Sequence, residues 1–282
     1  MPFTYRRYTV EGLTLRVGRK DARSAAAQAG AVPLLMLNGI GFNAELMEPL
    51  ARHFGDRSIV CPDMPGCGDS PDPVVPYTIP RLAKGLVAMM ETEFPGRSYD
   101  VLGFSWGGAL AQQIAVTTAS KVARLLLVAT TSGLLLPFGN AEVMRRLLDP
   151  TEYMRPDTLA ENFMALLSEG GASAGLLRRF TMPSPRGVSC QVGALAAWTA
   201  APLLPFLRMP VLLAGMAEDP IVTIAHQRAL ACLIPQAETL EIRPGSHLLP
   251  LAVPDRVGPD LARFLSPAAK KESAAKTTSS PA

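Results

Sequence analysis

The sequence predicts an α/β fold: a mostly parallel, doubly wound sheet carrying a helical cap. Three observations predict it. Short, unbroken apolar runs recur along the chain, as expected of strands covered on both faces of a parallel sheet. Longer segments able to form helices separate them, and strand–helix alternation of this kind belongs to doubly wound sheets. One interval, residues 134–208, breaks the rhythm with helix-like stretches and no convincing strand.

Taken in order, the strands are expected at residues 33–37, 58–62, 99–102, 125–129, 211–214 and 238–242. Helices are expected at 79–94 and 108–117, with others at 44–54 and 224–233. Residues 22–30 are rich in small side chains and read as a loop. Inside the cap interval the helix-like stretches are 141–148, 158–168, 175–180 and 188–200. Prolines 137, 150, 156, 183, 185, 202 and 205 punctuate them, as expected where helices start and stop. The sheet domain is therefore expected to comprise 1–133 and 209–266, with the cap inserted as 134–208. Residues 267–282, rich in Lys, Ser, Thr and Ala, have little to bury and are expected to be a disordered tail.

Composition narrows the function. Of 282 residues, 48% are hydrophobic and 18% charged, which suits an ordinary globular chain and excludes a fibrous or wholly disordered one. Lys and Arg (27) exceed Asp and Glu (24) by only three, too small an excess to argue for nucleic acid. No apolar stretch approaches the ~18–20 residues of a membrane span, and Met1 to Arg7 lacks the apolar core of a signal peptide. Cys61, Cys67, Cys190 and Cys232 are irregularly spaced, which favours free thiols over disulfides or a zinc site. A cytoplasmic location and no metal are the expectations.

The chemistry gathers at residues 103–107, Gly103-Phe104-Ser105-Trp106-Gly107, a Gly-x-Ser-x-Gly between a predicted strand and a predicted helix. That context defines a nucleophile elbow, where a serine sits on a sharp strand-to-helix turn. The helix N-terminus presents backbone N–H groups and partial positive charge to a developing oxyanion. A serine hydroxyl is a poor nucleophile without a base, and the chain has three histidines. His53 precedes the serine and falls in an expected surface helix, where it reads as solvated. His226 falls inside a helix, seven residues after Asp219. His247 stands in a Gly-containing loop after the last strand, which suits the Ser–acid–His order of elbow enzymes. The acid is expected in the turn after residues 211–214, where Asp219 is favoured over Glu218. A second oxyanion donor besides the N–H of Trp106 is expected in the loop Asn38-Gly39-Ile40-Gly41-Phe42-Asn43, and the N–H of Ile40 is the candidate.

These residues, with Asp63-Met64-Pro65-Gly66-Cys67-Gly68-Asp69-Ser70, resemble the α/β-hydrolase superfamily over about residues 30–266. Residues 34–41 and 103–113, together with 214–222 and 245–248, are similar to the intracellular medium-chain-length poly(3-hydroxyalkanoate) depolymerases. The resemblance implies hydrolysis of a storage polyester without a cofactor, by a triad of Ser105, Asp219 and His247. Ester or polyester is then the substrate, and a storage-granule surface a partner. Asn38 stands where many superfamily members have His, and Asp219 follows Gly215 by one residue more than usual. A small-molecule carboxylesterase or an iminopeptidase would share the elbow. A non-catalytic, hydrolase-like binding protein would not need nucleophile, acid, base and oxyanion loop together. Serine at 105 argues against dehalogenases and epoxide hydrolases, which place a carboxylate there.

Overall fold

A computed structural model of the protein describes residues 2–133, 155–169, 171 and 173–266. Eight strands form one sheet, in the order β1-β2-β4-β3-β5-β6-β7-β8: β1 (Thr4–Val10), β2 (Leu13–Lys20), β3 (Leu34–Leu37), β4 (Ile59–Pro62), β5 (Tyr99–Phe104), β6 (Val122–Val128), β7 (Val211–Met216) and β8 (Glu238–Ile242). From β4 to β8 every neighbouring pair is parallel, and β1 and β2 add an antiparallel edge.

The apolar runs form central strands because both of their faces are covered. In β3, Leu35 and Leu37 enter one core while Leu34 and Met36 enter the other. In β6, Leu125 and Leu127 likewise face opposite to Leu126 and Val128. The first core is closed by α3 (Ile79–Glu93) and α4 (Trp106–Thr117), with Leu82, Leu86, Met90, Leu110 and Ile114 buried. The second is closed partly by α2 (Glu48–Ala51), α9 (Leu249–Ala252) and α10 (Gly258–Phe264). At the floor of the sheet, Asp100 accepts hydrogen bonds from Arg57 and Arg124, and both arginines also hold C-terminal carbonyls at Leu265 and Ser266.

Four expectations change. The β1–β2 hairpin was not anticipated, because its residues alternate with Arg and Thr instead of forming an apolar run. Its signal is the period-two burial of Leu13, Leu15 and Val17 around the tight Glu11–Gly12 turn, where both φ angles are positive. Part of the expected loop at 22–30 is a short helix, α1 (Ala25–Gly30), because the Ser24 hydroxyl caps the N–H of Ala27. The expected single helix at 44–54 is two 3₁₀ turns around α2, with Pro49 near the start of α2. His53, on the second of these turns, is not simply solvated: its Nε2 lies 2.9 Å from Asp255 Oδ1, and its ring abuts Gly258.

Between β6 and β7 lie α5 (Pro156–Glu169), α6 (Ala174–Leu177) and α7 (Pro185–Ala196), followed by a 3₁₀ turn at Leu204–Phe206; α8 (Ile224–Leu233) follows β7. The expected helix at 141–148 and the tail at 267–282 lie outside the described residues. Leu159, Phe163 and Leu167 of α5 are buried in the second core, against the sheet domain. Phe163 packs edge-on to Phe42, at 5.8 Å between centroids, and stacks on Phe180 at 5.6 Å.

Candidate active site

Ser105 sits between β5 and α4 with φ 53° and ψ −120°. A non-glycine residue in this region is strained by about 1–3 kcal/mol and persists only where its surroundings impose it. Here the Ser105 N–H donates to Val128 O at 2.9 Å, while its carbonyl accepts from Gly108 N at 2.8 Å and Thr130 Oγ1 at 2.7 Å. The flanking glycines are dictated by space. A Cβ on Gly103 would meet Gly107 O at 2.5 Å and Gly108 Cα at 2.6 Å, and one on Gly107 would overlap the Leu37 carbonyl. The start of α4 is thereby pressed against the ends of β3 and β5.

His247 Nε2 lies 3.0 Å from Ser105 Oγ, and its Nδ1 lies 2.7 Å from Asp219 Oδ2. The second oxygen, Asp219 Oδ1, accepts the N–H groups of Ile221 and Val222, each at 2.8 Å. These contacts aim the carboxylate at the imidazole. The side chains of Asp219 and His247 are almost wholly buried. Glu218, the alternative acid, points elsewhere. Its Oε2 accepts the Gly245 N–H at 2.6 Å, and its own N–H donates to Gly245 O at 3.0 Å. It braces the loop that carries His247.

His226 is buried in α8, with Nδ1 3.2 Å from Thr223 Oγ1. Burial holds its pKa below the ordinary histidine value, with the nearby Asp219 charge acting in the opposite direction.

The expected oxyanion loop follows β3. Asn38 Oδ1 accepts the Gly39 N–H at 2.8 Å, and Asn38 Nδ2 donates to Asn43 O at 2.8 Å, so the side chain closes the loop on itself. The N–H of Phe42 donates to Gly39 O. The N–H of Ile40 has no acceptor among the described residues. Trp106 is the first residue of α4, so its N–H has no partner within the helix.

Beneath this loop, Asp63 receives the Ala44 N–H at 2.6 Å and Arg16 Nε at 2.5 Å. Burial pushes the Asp63 pKa up to about 6, against the pull of Arg16. Arg16 also grips Glu45 through Nη2 at 2.8 Å. Burial pushes the Cys67 thiol up, with the Asp63 charge adding to it, so Cys67 stays protonated. Among the described residues, no group of His, Cys, Asp and Glu side chains could hold a metal ion, and no helix is long and apolar enough to cross a membrane.

Sequence reasoning missed two residues that shape this site. Thr130 and Gln191 are polar residues without a local motif, and only tertiary contact reveals them. Asn43 ends the expected oxyanion loop, and its contacts are tertiary as well. Asn43 donates to Glu45 Oε2 and to Arg179 O, and accepts from the Thr181 N–H.

A strained serine at a strand–helix turn, hydrogen-bonded to a histidine that is in turn held by a carboxylate, is the arrangement of a serine hydrolase site on an open α/β sheet. The model of the α/β hydrolase fold matches residues 32–252, and the chain belongs to that family. By family and fold the protein is a hydrolase. It is 29% identical over 270 residues to a poly(3-hydroxyalkanoate) depolymerase of Ectopseudomonas oleovorans, covering 94% of this chain and 93% of that protein. To 3-oxoadipate enol-lactonase 2 of Acinetobacter baylyi it is 24% identical, covering 78% and 84%. Among solved structures, a hydrolase from Pseudomonas aeruginosa aligns with TM-score 0.79 and 21% identity over 93% of this chain and 98% of that one. The enol-lactonase of Burkholderia xenovorans aligns with TM-score 0.78 and 22% identity over 92% and 99%.

Proposed function

We propose that the protein is a serine ester hydrolase that cleaves medium-chain 3-hydroxyalkanoate polyester or oligoester through an acyl-enzyme. The observation that carries the chemistry is the continuous hydrogen-bonded line from Asp219 through His247 to Ser105, at 2.7 and 3.0 Å. Ser105 Oγ attacks the ester carbonyl as its proton passes to His247 Nε2. Asp219 keeps the other proton on Nδ1 and stabilises the imidazolium. The N–H groups of Ile40 and Trp106 receive the negative charge of the tetrahedral intermediate, an interaction worth ~3 kcal/mol per donor. The imidazolium protonates the departing alkoxide, giving the acyl-enzyme. Water, deprotonated by His247, then releases the acid and restores Ser105. No cofactor enters either half.

The choice of substrate rests on similarity to the Ectopseudomonas oleovorans poly(3-hydroxyalkanoate) depolymerase along nearly the whole of both chains. Fold and triad alone leave the scissile ester open. The helical segment between β6 and β7 acts as a cap that lines the acyl site, with action at a storage granule in the cytoplasm. Each acyl methylene buried in an apolar pocket gains ~0.8 kcal/mol, so kcat/KM should rise at least tenfold from acetyl to octanoyl esters. The test compares p-nitrophenyl esters of rising length with amorphous medium-chain and short-chain polyesters. Release of 3-hydroxy acids from the medium-chain polymer supports the reading. A profile that peaks at acetate, with the polymer untouched, replaces it with a small-molecule carboxylesterase.

A further inference from the structure

Gln191 lies on α7, outside the sheet, and is completely buried. Its Oε1 accepts the Gly41 N–H at 2.8 Å and faces the protonated Cys67 thiol at 3.6 Å. Both neighbours are donors, which fixes the carboxamide's orientation and leaves Nε2 with no acceptor among the described residues. An unpaired buried amide is unfavourable and calls for a reason. The same residue's main-chain oxygen accepts the indole Nε1–H of Trp106 at 2.9 Å. One residue of α7 therefore touches both segments from which the oxyanion donors come: the side chain of Trp106, and the peptide next to Ile40.

The arrangement around Ile40 is selective. Its neighbours' N–H groups are all engaged: Gly39 with Asn38 Oδ1, Gly41 with Gln191 Oε1, and Phe42 with Gly39 O. Pinning the peptides on either side leaves the Ile40 N–H between them without an acceptor among the described residues. Trp106 belongs to a different element, and its side chain is held by the carbonyl of Gln191. The intervening packing is tight. A Cβ on Gly41, which has φ +70°, would overlap the Phe163 ring, and Gly66 and Gly187 approach backbone to backbone.

We propose that Gln191 is a positioning residue that fixes the two oxyanion donors relative to each other. It ties the rate of the chemical step to the seating of α7, and rests on Ser105 being the nucleophile. Donors act on the oxyanion only within about 2.7–3.1 Å of it, and a misplacement of about 1 Å can cost 10²-fold.

The test substitutes Gln191→Met, which keeps length and volume but removes the acceptor, and Trp106→Phe, which removes the indole donor. With an octanoyl ester, Gln191→Met should lower kcat about 10- to 100-fold with KM within about threefold. Binding of a trifluoromethyl ketone, whose hemiketal oxygen occupies the oxyanion position, should weaken in step with kcat/KM, while octanoate binds as before. Trp106→Phe should shift the same quantities in the same direction, and decides the matter if Gln191→Met does not fold. Unchanged kcat in both folded variants, or equal weakening of ketone and octanoate, overturns the proposal. Ser105→Ala run alongside separates the two levels. If it is inactive while Gln191→Met is normal, only the role of Gln191 fails; if it remains active, the nucleophile assignment fails first.

Discussion

Asp219→Asn changes one atom, and the surrounding contacts dictate the consequence. Asp219 Oδ1 is held by two backbone donors, Ile221 and Val222, so the amide of an asparagine must present its oxygen there. Its NH2 group then faces His247 Nδ1, where the carboxylate Oδ2 stood at 2.7 Å. A donor at that place forces Nδ1 to accept, which moves the ring proton to Nε2 and leaves no lone pair for the Ser105 hydroxyl. The equivalent tautomer inversion in a protease triad lowers kcat ~10⁴-fold, or ~5.4 kcal/mol of transition-state stabilisation. Packing is conserved, so the melting temperature should move little. Glu218→Gln is the control: it retains a carbonyl oxygen for the Gly245 N–H and should keep activity within about threefold, as expected for one exposed-side hydrogen bond exchanged for another. The assay is initial-rate hydrolysis of p-nitrophenyl octanoate, with melting curves in parallel. A Glu218→Gln variant that loses more activity than Asp219→Asn refutes the tautomer reasoning and moves the orienting role to Glu218.

Further outcomes follow from the same contacts. Gly107→Ala puts a methyl group against the Leu37 and Asn38 carbonyls, which are backbone and yield poorly. Overpacking of ~1–3 kcal/mol at ~2–4 °C per kcal/mol should lower the melting temperature by several degrees, and an unchanged value would contradict the close approach. Phe163→Leu trims the ring lodged between Phe42 and Phe180; the octanoyl-to-acetyl ratio of kcat/KM should fall at least threefold, and an unaltered ratio removes α5 from substrate choice. Burial lowers the His226 pKa below 6.5, so between these values the folded state binds fewer protons than the unfolded one. Stability contributed by neutral His226 is then complete above about pH 6.5 and is lost as the pH falls. The drop in melting temperature between pH 7 and 5.5 should be shallower in His226→Gln; equal slopes would assign the loss to other groups.

The sheet was legible from sequence where burial leaves a one-dimensional trace. Leu34–Leu37 and Ile59–Pro62 are covered on both faces and therefore read as apolar runs. Glu238–Ile242 was bounded correctly despite being largely uncovered. The edge hairpin was not legible that way, because Arg6, Arg7 and Arg16 interrupt it. Arg16 has its own reason to be there, holding Asp63, Glu45 and Asp69. The elbow was readable because its glycines are local steric requirements within five residues. Asp219 and His247 follow from chain order as candidates, with Asp219 favoured over Glu218; that Asp219 is the carboxylate hydrogen-bonded to the imidazole depends on the Ile221 and Val222 N–H groups that hold its other oxygen. Gln191 was beyond reach of sequence reasoning altogether: its partner Gly41 is 150 residues away, and no motif links them.

Active-site labelling by a fluorophosphonate, read by intact mass and peptide mapping, tests the nucleophile most directly. A phosphonyl group on Ser105 mimics the tetrahedral intermediate and can form only if His247 activates the hydroxyl. One adduct per chain is predicted, confined to the peptide containing Ser105, with esterase activity lost in proportion to labelling. Ser105→Ala should neither label nor hydrolyse octanoyl esters. An adduct on another residue, or hydrolysis retained at more than a few per cent in purified Ser105→Ala, would contradict the assignment.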